Sequence, residues 1–354
     1  MKNDIKLLEN MIFDLNLISN RHYVGDYWLN YSLRIEKNLK KYGLENFRSN
    51  FLIGKGFADV IHDNPFLNKE DNLKNKTKSF LGYLLSKLFL LNKFVNQPSQ
   101  KMINDYVDKY LNLKSNLIIH QNYNILKNFF LKYQDFDTLT GNPRDIIKYE
   151  DITIGSYYIS PIINQKIILE EFQRKKYTSF FEIGGGFGAN AHTLLSTIPQ
   201  LKKYIYMDIP PVLYIGTQFL KHFFPNCVYD YEDIKKMDTV KFLNNNKIEI
   251  FCISPWQLHK VKSKTDFFLN AHSFQEINIK ILKKYLSHIE KIMKDKNSVL
   301  LQFYEYDSKV KNTINPDKII NLLNENCKMK ISKDREYLKL DYKTYVNTNF
   351  NFKY

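Results

Sequence analysis

Cysteine is scarce in this chain. The 354 residues hold three, Cys227, Cys252 and Cys327, far apart and without Cys-x-x-Cys spacing. That pattern excludes a disulfide frame and a cysteine zinc site, and it suits buried thiols in a reducing compartment. Clusters of Asp, Glu and His at metal-binding spacing are also missing, so no metal is predicted. The most apolar run, "SFLGYLLSKLFLLNKFV" (79–95), contains Lys87 and falls short of the roughly 20 apolar residues that span a bilayer. It reads as a buried helix. The opening "MKNDIKLLENMIFDL" mixes acidic residues among its apolar ones, unlike a signal peptide. A cytoplasmic protein without a transmembrane segment is expected, with docking on a membrane surface left open. Acidic residues are outnumbered 37 to 52 by Lys and Arg, giving a formal net charge of +15. Because Lys, Asn and Ile are abundant throughout, the charge reads first as a solvated basic surface. The alternative is attraction to an anionic partner such as nucleic acid, a nucleotide sugar or a membrane surface.

What the chain does have is aromatic and aliphatic material for a large core, with 26 Phe and 25 Tyr. Its texture changes near residue 150. Residues 1–150 read as mostly helical, with apolar residues at three- and four-residue spacing in 27–44, 79–95 and 102–133. "GNPRD" (141–145) is turn chemistry at the expected boundary. From 151 to 354, short apolar runs alternate with helical patterns. The runs are "YTSFFEIGGG", "KYIYMDIPPV", "KIEIFCISPW", "TDFFLNAHSF" and "SVLLQFYEY". Such alternation predicts an α/β, doubly wound, Rossmann-like parallel sheet, with ligands at the carboxyl ends of its strands.

The first run ends in Gly184, Gly185, Gly186 and Gly188, before a helix. Glycines let a backbone take positive φ and approach a ligand closely, and the N–H groups of the next helix face the crevice. Either a dinucleotide or S-adenosylmethionine (SAM) suits that geometry. Glu182 chooses between them. A carboxylate two residues before the first glycine repels a pyrophosphate and favours an ammonium and a nearby sulfonium. Asp208, with Ile209 after it, ends the next run and suits the hydroxyls of a ribose; a helix N-cap is its other reading. Ser254, Pro255 and Trp256 end the third run, where an aromatic face and backbone groups suit an adenine. "SPW" is also similar to the D/N-P-P-Y string of amino-methylating nucleic-acid enzymes, but it lacks the second proline. The fourth run ends in Asn270, which contacts the cofactor or pins the loop. His272 and Glu276 follow, as base or as base and orienter for a hydroxyl acceptor. Tyr157 or Tyr158 is a candidate cover for the cofactor.

"FFEIGGGFGANAHTLL", "YMDIPPVLYIGTQFL" and "DFFLNAHSFQEI" together resemble the bacterial sugar O-methyltransferases that occur with capsule and surface-polysaccharide genes. "GNPRD" and "LENFRSNF" (44–51) resemble that family's N-terminal half. The resemblance implies a class I methyltransferase that binds SAM through Glu182, Gly184, Gly186 and Asp208 and releases S-adenosylhomocysteine. It implies a small-molecule sugar acceptor; the positive charge would suit one that is phosphorylated or nucleotide-linked, and because Lys is spread throughout instead of forming one basic face, no nucleic acid partner is expected. Related small-molecule O-methyltransferases carry a histidine early in the helix after the fourth strand. Here that stretch reads Gln275-Glu276, with the histidine earlier, at 272. The N-terminal half is expected to cover the acceptor and is a candidate homodimer surface. Two other functions stay open: a nucleic-acid methyltransferase, and a non-catalytic SAM-fold scaffold.

Overall fold

The computed structural model describes residues 1–17, 22–50, 53, 120, 122–143, 146–172, 177–304, 314–329, 342–347 and 350–352. The apolar run 79–95 and the expected helical run over 102–119 lie outside the described residues.

All five apolar runs form strands of one seven-stranded sheet. They are β3 (Ser179–Ile183), β4 (Lys203–Met207), β6 (Glu249–Ile253), β7 (Thr265–Ala271) and β8 (Met293–Tyr304). With the short β5 (Val228–Tyr229) and β10 (Tyr342–Asn347), the order is β10-β8-β7-β3-β4-β6-β5. Every neighbour pair is parallel except β10 on β8. The α/β, doubly wound sheet predicted above is therefore present. A hairpin of β1 (Ile146–Tyr149) and β2 (Ile152–Gly155) precedes the sheet. A small pair, β9 (Cys327–Met329) with β11 (Phe350–Phe352), follows it.

Side chains of a strand alternate between faces, and the two cores follow that rule. Phe180, Tyr204, Tyr206, Ile250, Cys252, Phe267 and Leu269 share one core. Phe181, Ile183, Ile205, Met207, Phe251, Ile253 and Phe268 share the other. The first face is covered by α3 (Ile159–Phe172), α4 (Ala189–Thr197) and α5 (Val212–Phe223), and also by α1 (Ile5–Leu15) and α2 (Asp26–Tyr42). The second is covered by α6 (Tyr231–Lys236), α7 (Ile279–Ile292) and α8 (Pro316–Asn326). The described part of the N-terminal half thus shares the core of the sheet; Leu8, Met11, Leu39, Phe47 and Leu126 join it.

Two segments flagged in the sequence meet in space. The Arg48 guanidinium donates to the Thr138 carbonyl at 2.7 Å, and its backbone N–H donates to the Gly141 carbonyl at 3.0 Å. Asn142 donates to Asn46 at 2.8 Å. A Cβ on Gly141 would lie 2.2 Å from the Phe47 ring. So the turn at 141–143 docks on Phe47 and Arg48.

The chain runs from β3 outward through β4 and β6, then returns to place β7 on the other side of β3. A crevice opens at such a reversal, at the carboxyl ends of the strands. The glycine turn and the loop after β7 both lie there.

Candidate functional site

Three glycines of the turn are left-handed: Gly184 at φ 72°, Gly186 at 60° and Gly188 at 93°. Such angles cost a residue with a Cβ roughly 1–2 kcal/mol each. Gly185 is needed for space: a Cβ there would lie 2.4 Å from the Tyr206 ring. The Gly184 N–H donates to the Met207 carbonyl at 2.8 Å, which ties the turn to β4. The Tyr206 hydroxyl donates to the Gly186 carbonyl. Gly188 is the N-cap of α4 and offers no capping side chain, so the first N–H groups of that helix are not used up by a cap.

Two carboxylates meet this turn. Glu182 is fully buried, and its oxygens accept the Asn190 amide at 2.9 Å and the Tyr204 hydroxyl at 2.8 Å. A Cβ on Gly185 would stand 3.0 Å from Glu182 Oε2, so the carboxylate lies against the turn. Burial pushes its pKa up to about 7, against the pull of Tyr204 and Asn190. Asp208 follows β4 directly and is half-buried. Its oxygens accept the Gly186 N–H at 2.8 Å and the Ile209 N–H at 2.7 Å. Burial raises it to about 7, and the charges of Glu182 and Glu276 add to that rise.

The loop after β7 packs directly on the turn. A Cβ on Gly184 would fall 2.3 Å from the Ser273 side chain. Asn270 is 0% exposed. Its amide donates to the Ile183 carbonyl at 2.9 Å and to Ser273 Oγ at 2.6 Å, and its oxygen accepts the Phe274 N–H at 3.2 Å. Of its two readings, cofactor contact or loop pin, these bonds supply the second: the side chain pins the loop to the end of β3. His272 follows at φ 72°, a conformation uncommon outside glycine and often found at functional sites. Its N–H donates to the Gln302 carbonyl of β8 at 2.9 Å. Glu276, half-buried at the end of the loop, is raised to about 7 by burial.

Ser254, Pro255 and Trp256 follow β6, whose last carbonyl, Ile253, accepts the Asp208 N–H at 3.3 Å. They therefore border the Asp208 side of the crevice. The Ser254 side chain is buried and capped by Gln257. The Trp256 ring is 8% exposed, and its N–H donates to the Tyr231 hydroxyl at 3.1 Å. That hydroxyl in turn donates to Asp14 of α1 at 2.5 Å. Trp256 is thus a core residue tying α1 to the sheet, and a free indole face for adenine is not what the structure shows. The two tyrosines also separate. Tyr158 is fully buried with its hydroxyl 2.7 Å from His192 Nδ1, which corrects it as a cover. Tyr157 lies half-buried, 4.7 Å from the Phe187 ring of the glycine turn. His192 itself is a core side chain stacked on Phe223 at 3.8 Å, and burial pushes it down to about 3.

Sequence reading missed Asn190, Tyr204 and Tyr206. The signal was present: Tyr204 and Tyr206 are two apart on a strand and so share the face of Glu182. Among the described residues, no group of three His, Cys, Asp or Glu is placed to hold a metal ion, and no helix is long and apolar enough to cross a membrane.

No family model matches the chain. No curated protein matches it either. Solved structures do, at low identity. The mitomycin 7-O-methyltransferase MmcR is 14% identical with a TM-score of 0.39, over 55% of each chain. Human N-acetylserotonin methyltransferase is 15% identical with a TM-score of 0.36, over 55% of this chain and 54% of that one. The pyocyanin biosynthetic protein PhzM is 12% identical with a TM-score of 0.40, over 98% of this chain and 100% of its own. The match therefore spans about half the length of the first two. At these values the likeness says nothing of the reaction.

Proposed function

We propose that this chain is a SAM-dependent O-methyltransferase whose acceptor is a hydroxyl of a sugar or another small precursor of a bacterial surface polysaccharide. The observation that carries the cofactor reading is the charge around the turn. Glu182 lies against it, Asp208 grips the Gly186 N–H, and the charge of Glu276 adds to the rise of Asp208. Among the described residues, none of the three carboxylates makes an ion pair. A pyrophosphate would meet only repulsion from them, whereas a ligand with a sulfonium and an ammonium would supply the missing positive charge. Asp208 retains acceptor capacity for ribose hydroxyls, because a carboxylate offers about four lone-pair sites.

SAM, when bound, supplies an electrophilic methyl group. The chain's own residues do the rest. Glu182 and the α4 N-terminus hold the amino-acid end, and Asp208 holds the ribose. The loop after β7 brings His272 and Glu276 to the acceptor side. Bound there, SAM would give its methyl group to the acceptor oxygen and would leave as S-adenosylhomocysteine, with the electron pair of the carbon–sulfur bond on sulfur. The hydroxyl proton passes to the base. Glu276 suits that role with a pKa near 7, where a general base works best at neutral pH. His272 at φ 72° is the second candidate.

The sugar acceptor rests on the family resemblance of "NAHSFQEI" and on the positive charge, which suits a phosphorylated or nucleotide-linked substrate. A homodimer through the N-terminal half, a cytoplasmic location and the division near residue 150 belong to the same proposal. Calorimetry with SAM, S-adenosylhomocysteine and NAD tests the first step. Binding of SAM and its product without NAD is expected. Absence of any heat with SAM and its product at millimolar ligand would end this reading.

A further inference from the structure

Glu182 is one end of a buried chain of amides. Its Oε1 accepts Nδ2 of Asn190, on α4, at 2.9 Å. Oδ1 of the same Asn190 accepts Nδ2 of Asn164, on α3, at 3.1 Å. Asn164 then pairs with Gln302, on β8: its Nδ2 donates to Gln302 Oε1 at 3.3 Å, and its Oδ1 accepts Gln302 Nε2 at 2.6 Å. Asn164 and Gln302 are both 0% exposed, and Asn190 is 8% exposed.

A carboxamide has one accepting and one donating end, so the orientation of each member dictates the next. The pairing with Gln302 occupies both ends of Asn164 and leaves its N–H aimed at Asn190. Asn190 must answer with its oxygen, and its own N–H is left for Glu182. Packing alone does not ask for this arrangement. Buried amides give a favourable balance only when every end is matched, and apolar side chains would fill the same space without that demand. Three separate elements contribute one amide each, and beside the return bond from Asn164 to Gln302 a continuous run of donors leads from Gln302 through Asn164 and Asn190 to one carboxylate.

We propose that Asn164 and Gln302 are positioning residues for the cofactor site: they lock the Asn190 amide with its N–H on Glu182, so that the carboxylate stays aimed at the glycine turn. This rests on the SAM reading of that turn. Among the described residues, the donors to Glu182 are Asn190 and, from β4, Tyr204. The other groups facing it offer no positive charge. Tyr206 and Asp208 couple to it electrostatically as an uncharged phenol and a like charge. β7 presents Leu269 opposite it in register.

The test is SAM binding by calorimetry from pH 6 to 8.5, on the full chain, for wild type and Asn164→Asp. The aspartate has nearly the same shape but cannot donate. Asn190 then turns its N–H toward position 164 and its oxygen toward Glu182, which disfavours the ionised form. Wild-type affinity is expected to rise with pH and level off above about 7. In Asn164→Asp the midpoint of that rise should move up by about one pH unit, which makes binding about fivefold weaker at pH 7 but nearly normal at pH 8.5. A folded variant whose affinity falls equally at every pH would overturn the proposal, because a purely structural role predicts that. Gln302→Leu removes the anchor without adding charge, and it decides by the same criterion where Asn164→Asp does not fold. A wild type that binds neither SAM nor S-adenosylhomocysteine sinks the underlying cofactor reading, and this proposal with it. A wild type that binds, with variants whose midpoints do not move, sinks this proposal alone.

Discussion

Glu182→Gln should make the ligand-free protein more stable and the cofactor site useless. The structural basis is a fully buried carboxyl raised from its ordinary value near 4.5 to about 7 by loss of solvent. The folded state therefore holds the proton more tightly than the unfolded chain does. Below pH 4.5 both states are protonated and the group costs nothing. Between about 4.5 and 7 the unfolded chain ionises first, so stability falls as pH rises. Above 7 the full cost is present. A shift of that size corresponds to roughly 3 kcal/mol, a large share of the 5–15 kcal/mol typical of a folded domain. Glutamine relieves it with little change of shape. Its oxygen accepts the Asn190 amide, and its NH₂ donates to the Tyr204 hydroxyl, which rotates to accept.

Urea denaturation at half-unit steps from pH 4.5 to 8.5 measures this directly. The wild type should lose stability across the window, and Glu182→Gln should lose about 3 kcal/mol less. At pH 8 the variant should be the more stable of the two, while its SAM affinity falls at least tenfold, as expected for removal of a charge-assisted contact. Residues that impair stability to serve a ligand behave in this opposed way. Equal pH slopes in the two proteins, with the variant less stable at pH 8, would refute the reasoning: the carboxylate would then be a charge already stabilised in the free fold.

Gly184→Ala meets both a left-handed φ and the Ser273 side chain 2.3 Å from the new Cβ. Denaturation should show it destabilised by at least 1–2 kcal/mol, and Ser273→Gly should recover the steric part but not the backbone part. Glu276→Gln should retain SAM binding in calorimetry but lose most methyl transfer, and with SAM saturating at every pH the wild-type rate should fall about tenfold per unit below pH 7, a limb absent from the residual activity of the variant. Phe47→Ala empties a fully buried site and should cost about 3–5 kcal/mol in denaturation; SAM affinity should fall with it, because Phe47 packs 5.5 Å from Phe187 in the glycine turn.

The parallel sheet was legible because five of its strands carry short, mostly apolar runs, several of them ending in a turn signal. "SFFEI", "YIYM" and "IEIFCI" carry that pattern whatever lies around them. The crevice followed from strand order, and Asp208 from its place after β4. Other features depend on contacts that no local string encodes. The Asn164–Gln302 pair spans 138 residues, and the Arg48–Thr138 bond spans 90. Asn270 was ambiguous for a different reason. An amide at a strand end serves a ligand or its own loop equally well, and only the positions of Ile183 and Ser273 decide. Trp256 was read from its chemistry, but its indole N–H is taken by the hydroxyl of Tyr231, which itself donates to Asp14. The β1–β2 hairpin escaped because its strands, four residues each, are too short for alternation to stand out.

A turn made of glycines needs something to hold it, and here that is Phe187, the one side chain between Gly186 and Gly188. It is fully buried. Phe219 of α5 lies 5.1 Å from its ring, Tyr157 4.7 Å and Phe47 5.5 Å, while the Arg48 guanidinium sits over its face at 4.9 Å. Two of those four come from the N-terminal half, and the same two receive the turn at 141–143. The left-handed glycines give the backbone its freedom to approach a ligand, and the aromatic cage removes the freedom that would cost binding entropy. The N-terminal segments are therefore part of what shapes the turn. Removing the first fifty residues would take Phe47 and Arg48 from that cage, so the remaining chain should bind SAM weakly in calorimetry even where it folds.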